Sequence, residues 1–130
     1  MQQILIIEDE QAYVHLLSDK LRGKYKILTA ENGKLGLEMA IENQPELILL
    51  DNVMPIMDGM TMLAELRRDP YGKIANVIIL TNLEASSSII ADTIKALPLY
   101  YFVKSDTSLD VLIEEIDELM SEPPVNSLTR

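Results

Sequence analysis

The chain contains no cysteine. Disulfide staples, thiolate nucleophiles and zinc–thiolate sites are therefore excluded. No apolar run approaches the ~20 residues of a membrane span, and the N-terminus carries neither a basic region nor a cleavage site. A cytoplasmic location without membrane association is the expectation. Basic charge is scarce, with 11 Lys and Arg against 21 Asp and Glu and a net charge of −10. Duplex binding needs Lys and Arg to neutralise phosphates, and none cluster beyond Arg67-Arg68, so direct nucleic acid binding is not expected. Glycine is also sparse, 5 residues in a chain that is 48% hydrophobic, which is the composition of an ordinary globular protein. At 130 residues a single domain is expected. Most of the acidity reads as solvated helix faces, and a share is available for a concentrated cation pocket.

Among what is present, one stretch organises the rest: Leu47-Ile48-Leu49-Leu50-Asp51, followed by Asn52-Val53-Met54-Pro55-Ile56-Met57-Asp58-Gly59. A short unbroken apolar run reads as a strand buried on both faces, as in a parallel sheet. Asp51 falls at its carboxyl end, where open α/β sheets place their ligand sites. Pro55 stops the strand, and Asp58 suits the N-cap of a helix beginning near Gly59.

The pattern repeats along the chain. Gln3 to Ile7 is an apolar strand ending in Glu8-Asp9-Glu10. A helix is predicted over 11–22, with Tyr13, Leu16, Leu17 and Leu21 on one face and Gly23 at its C-cap. Lys26 to Ala30 is a more polar strand, expected at the sheet edge. The next helix, over 34–43, contains Gly36, which costs ~1 kcal/mol against alanine and suggests a close helix–sheet approach. Asn76 to Thr81 and Leu99 to Val103 read as strands, the second followed by Lys104. A helix with Ile90, Ile94 and Leu97 inward lies between them, and Thr107-Ser108-Leu109-Asp110 caps a last helix striped by Leu109, Leu112, Ile113, Ile116 and Met120. His15 is expected on the surface. Five strand–helix alternations predict a doubly wound parallel sheet with five helices.

The strand ends then supply a constellation at one sheet edge: Glu8, Asp9, Asp51, Thr81 and Lys104. Three converging carboxylates repel unless a cation joins them. Mg²⁺, with hard oxygen ligands, is the natural solution. Aspartate can accept a phosphoryl group covalently, and such transfer runs mainly on positioning and charge neutralisation. Cation, ammonium and hydroxyl around Asp51 suit that chemistry.

These motifs resemble the receiver domain of two-component response regulators, of the chemotaxis-receiver kind. The resemblance covers about Gln3 to Met120 and rests on five features. They are the Glu8-Asp9 pair, Leu49-Leu50-Asp51-Asn52-Val53-Met54-Pro55 with Met57-Asp58-Gly59, Thr81 in Ile79-Leu80-Thr81, Lys104, and Tyr101 three residues before it. It implies a flavodoxin-like five-stranded sheet in the order 2-1-3-4-5, with a receiver domain over 1–121 and a flexible tail or linker start over 122–130. Asp51 would be the phosphoacceptor, fed by a histidine kinase or histidine phosphotransfer protein. Asp9, Asp51 and the Val53 backbone carbonyl would hold Mg²⁺, with Glu8 acting through water. Thr81 and Lys104 would meet the phosphoryl oxygens, and Tyr101 would switch with Thr81, remodelling the face of the fourth helix, fifth strand and fifth helix. The product is a signalling switch rather than an enzyme. Its output would pass to an unknown partner or a missing effector domain, or through homodimerisation on phosphorylation.

Departures from the family pattern are Glu8 for the commoner aspartate, Asn82 after Thr81, and Ser105 where proline is usual. Val53 and Leu83, both apolar, are expected to shield the acyl phosphate. The alternative is a degenerate receiver acting as a phosphorylation-independent interaction module. A flavin binder would want a phosphate loop where Glu8-Asp9-Glu10 stand, and an aspartyl-phosphate hydrolase would want an acid at Val53.

Overall fold

The unbroken apolar runs become strands covered on both faces. A computed structural model describes residues 1–81, 99–104 and 108–121, with Thr81 and Leu99 described through their backbone alone. In it β1 (Gln3–Ile7), β2 (Lys26–Ala30), β3 (Leu47–Asp51), β4 (Asn76–Thr81) and β5 (Leu99–Val103) form one sheet in the order β2-β1-β3-β4-β5. All four pairings are parallel. Ile4 to Ile7 and Leu47 to Leu50 are wholly buried in its middle, while β2 lies at an edge with Lys26 and Thr29 exposed. The expected doubly wound sheet and strand order are the observed ones.

Helices α1 (Gln11–Leu21), α2 (Gly33–Asn43), α3 (Gly59–Leu66) and α4 (Leu109–Ser121) accompany the sheet. The helix expected near Ile90 and Ile94, together with Asn82, Leu83, Ser105 and the tail over 122–130, lies outside the described residues. Side chains alternate across a strand with a period of two, so each strand feeds two cores. Ile4, Ile6, Leu47, Leu49, Ile78, Leu80 and Phe102 pack against Val14, Leu17 and Leu21 of α1 and Leu112, Ile116 and Met120 of α4. The alternate residues Leu5, Ile7, Ile48, Leu50, Val77 and Ile79 pack against Ala40 of α2 and Met62, Leu63 and Leu66 of α3.

Local chemistry sets the helix starts. Asn32 Oδ1 accepts the Leu35 N–H at 2.9 Å, and Asp58 Oδ1 accepts the Thr61 N–H at 2.8 Å. These caps satisfy donors that a first turn leaves without intrahelical partners. At Gly36 an added Cβ would lie 2.5 to 2.9 Å from the buried Ile7 side chain, which is the close helix–sheet approach its glycine suggested. Two expectations are corrected. Leu16 is 54% exposed, because the buried stripe of α1 is Val14-Leu17-Ser18-Leu21 and Leu16 lies one helical step outside it. Gly23 follows an α1 C-cap, Arg22, that stays in the right-handed helical region, so no left-handed glycine ends this helix.

Candidate functional site

Strand alternation builds the site. Ile4 and Ile6 lead to Glu8, Leu47 and Leu49 to Asp51, and Phe102 to Lys104. Each polar residue thus prolongs the sheet face that α1 covers, one step past a strand's apolar segment. The three are drawn out of water together: Glu8 is 1% exposed, Asp51 6%, and the Lys104 side chain 6%. Buried charge persists only when paired. Lys104 Nζ forms an ion pair with Glu8 Oε1 and stands 3.7 Å from Asp51 Oδ1. The second Glu8 oxygen accepts the Glu10 N–H at 3.1 Å, and the Glu8 N–H donates to the Ala30 carbonyl at 3.0 Å, pinning the end of β1 to β2.

Asp9 is exposed, and carboxylate oxygens of Glu8, Asp9 and Asp51 lie within 4.8 Å of one another. One ammonium does not offset so much negative charge. Burial first, and the Glu8 carboxylate second, push the Asp51 carboxyl from 3.8 up to about 7, against the opposing pull of Lys104. A divalent cation would remove the repulsion and favour the ionised form. The donor set, three hard oxygens in a space of this size, fits Mg²⁺ with its bonds of about 2.0–2.1 Å.

The loop after Asp51 is held by its own backbone. The Asn52 N–H donates to Leu80 O at 3.1 Å, and the Gly59 N–H to Asn52 O at 2.9 Å. A Cβ on Gly59 would strike the Asp51 carbonyl, so only glycine permits this approach. Gly33 N–H donates to Met57 O at 3.2 Å, tying α2 to the same loop. Between them Ile56 takes φ 70° while 77% exposed, and Val53 is 64% exposed. Left-handed backbone is strained for a β-branched residue.

The structure therefore brings together Glu8, Asp9, Asp51 and Lys104, and puts Val53 in the loop two residues beyond Asp51. The Thr81 backbone ends β4 in register with Val103. The three aromatics of β5 separate: Phe102 is core at 4% exposure, Tyr100 is 44% exposed, and Tyr101 is half-buried on the α2–α3 side of the sheet. His15 is exposed. Sequence reading missed two contacts. One is the Glu8–Lys104 pair. The other is Tyr13, assigned to the core stripe of α1, whose ring centroid is 4.3 Å from Lys104 Nζ. Its only sequence signal is a position one helical turn past Asp9.

Comparison with known proteins is consistent with this geometry. The profile of the response regulator receiver domain matches residues 4–117. Response regulator PleD of Caulobacter vibrioides is 37% identical over 129 residues, covering 98% of this chain and 26% of that protein. The chain thus spans about a quarter of the length of that relative. Chemotaxis protein CheY of Halobacterium salinarum is 34% identical over 82 residues, 62% of this chain and 67% of that one. Among solved structures, response regulator TrrA of Thermotoga maritima, in complex with Mg²⁺ and BeF, superposes with a TM-score of 0.77 at 32% identity, covering 92% and 99% of the two chains.

Proposed function

The chain belongs to the response regulator receiver domains, and from that premise we propose that Asp51 is its phosphoacceptor, charged in the presence of Mg²⁺ by a histidine kinase or histidine phosphotransfer protein. The family's domains are signalling switches, and among the described residues no helix is long and apolar enough to cross a membrane. The observation that carries the reading is a buried carboxylate at a strand end, flanked by two more carboxylates and one ammonium. An Asp51 oxygen attacks phosphorus, the P–N bond to the donor histidine breaks, and the imidazole leaves with the bonding pair and takes up a proton. Attack needs the ionised carboxylate, and Lys104 favours that form.

Asp9, Asp51 and the Val53 carbonyl would hold the Mg²⁺, with Glu8 acting through water. The ion would neutralise charge on the transferring phosphoryl oxygens. Thr81 would bond one phosphoryl oxygen, and Lys104 would pair with another. Tyr101, half-buried beside β4, would change its packing with Thr81 and alter the surface beyond β5. That surface would address an output partner, an effector domain or a second copy of the chain, in a cytoplasmic setting. The receiver occupies 1–121 in this reading, and residues 122–130 form a tail or linker.

A beryllofluoride titration in Mg²⁺, followed by backbone NMR shifts on wild type and Asp51→Asn, tests the reading. Shifts at Thr81, Tyr101 and Lys104 in wild type alone are the expected result. No response in either protein would refute the phosphoacceptor role and leave the phosphorylation-independent interaction module.

A further inference from the structure

Lys104 is enclosed on three sides, by Glu8, by Asp51 and by the Tyr13 ring. Two of these neighbours are carboxylates that belong to the donor set of the cation site. Once a divalent ion takes up their charge, they attract the ammonium less, and the ion itself repels it. The third neighbour behaves differently. An aromatic face attracts a cation through its quadrupole and carries no net charge for the metal to cancel.

We propose that Tyr13 is a positioning residue for phosphoryl acceptance, its ring holding Lys104 Nζ beside Asp51 after a divalent cation has drawn the Glu8 and Asp51 carboxylates to itself. The inference rests on the reading of Asp51 as phosphoacceptor. The ring is well placed for the task. Tyr13 is the third residue of α1, with its N–H on the Glu10 carbonyl at 3.1 Å, and it packs half-buried against the core under α1. Its hydroxyl stays protonated, since burial and then the charges of Glu8, Asp51 and Glu10 push it up to about 12. A neutral ring therefore faces the ammonium throughout the neutral range. The geometry also distinguishes Tyr13 from a filler of the core: a leucine there would keep apolar contact and lose the attraction for Lys104.

The test measures Mg²⁺ affinity, beryllofluoride affinity and the rate of phosphorylation by phosphoramidate. The proteins are wild type, Tyr13→Phe, Tyr13→Leu, Lys104→Met and the Tyr13→Leu/Lys104→Met double variant. Tyr13→Leu should lower beryllofluoride affinity and phosphorylation rate about tenfold, within the range of a desolvated cation–π contact. Mg²⁺ affinity should not fall, and Tyr13→Phe, which keeps the ring, should behave as wild type. In the Lys104→Met background the leucine should have no further effect, because the two residues act through one contact. An equal loss in that background, or a parallel loss of Mg²⁺ affinity, would assign Tyr13 a purely structural role and overturn the proposal. So would a Tyr13→Leu protein that responds like wild type. Wild type failing to take beryllofluoride at all would instead overturn the phosphoacceptor reading, and this inference with it.

Discussion

Replacing Asp51 with asparagine should stabilise the metal-free protein, and the gain should grow with pH. An acid whose folded-state pKa lies above its unfolded value binds more protons folded than unfolded between the two values, so stability falls as pH rises through that window. For Asp51 the window runs from 3.8 to about 7. Each decade of difference is worth about 1.4 kcal/mol, so the ionised carboxylate destabilises the fold by about 4 kcal/mol above neutrality. Asparagine has nearly the same shape and no titration. The stability gap between Asp51→Asn and wild type should therefore be small near pH 4 and widen to about 4 kcal/mol by pH 8, roughly half of it between pH 5 and 7. At roughly 3 °C per kcal/mol for a domain of this size, the full gap is about 12 °C in Tm. Urea and thermal unfolding followed by circular dichroism in EDTA, from pH 5 to 8, would measure it. Mg²⁺ should close the gap, since it favours the ionised form that only wild type has. A gap that is flat with pH, or that has the opposite sign, would refute the account of Asp51 as a crowded, desolvated acid.

Other expectations follow from the same structure. Lys104→Met leaves two buried carboxylates without their cation and should cost about 3–5 kcal/mol, part of it recovered on adding Glu8→Gln, as read by urea midpoints. Gly36→Ala drives a methyl into Ile7 and should cost about 1–3 kcal/mol. Gly23→Ala, with nothing within 4 Å of the new Cβ, should be neutral or stabilise by up to about 1 kcal/mol in the same assay. Ile56→Gly should raise stability by about 1 kcal/mol, because relief of left-handed strain exceeds the extra entropy of glycine and an exposed side chain gives up little packing. An unchanged or lowered Tm for that variant would show that φ 70° at Ile56 is not strained.

Much of this molecule could be read from local pattern. Leu47 to Leu50 announced a doubly covered strand because only burial on both faces tolerates four consecutive large apolar residues. Asp58 announced a helix start because its side chain can reach a first-turn N–H. The placement of Leu16 was misread because Leu16 and Leu17 are chemically alike, and which of them faces the sheet depends on the rotation of α1, set by the packing of Val14, Leu17 and Leu21 together. Among Tyr100, Tyr101 and Phe102 composition could not choose, whereas strand alternation in β5, once its register with β4 is known, turns Tyr101 to the α2–α3 face and Tyr100 and Phe102 to the opposite one. Ile56 gave no sign of its left-handed backbone, which its neighbours' hydrogen bonds impose.

The acidic pair, the carboxylate at Asp51 and the lysine at Lys104 were legible because each closes an apolar strand, and strand ends in a parallel sheet gather on one edge. Which charge pairs with which was not. Lys104 and Glu8 are 96 residues apart, and their contact exists because β1, β3 and β5 each carry a charged residue two positions past their last apolar side chain on the face under α1. Tyr13 joins them from that same helix. Sequence periodicity determines the faces of single elements, but the partners across a gap between elements are decided by how those elements cross and how far they are shifted along one another, and that is a property of the packed core.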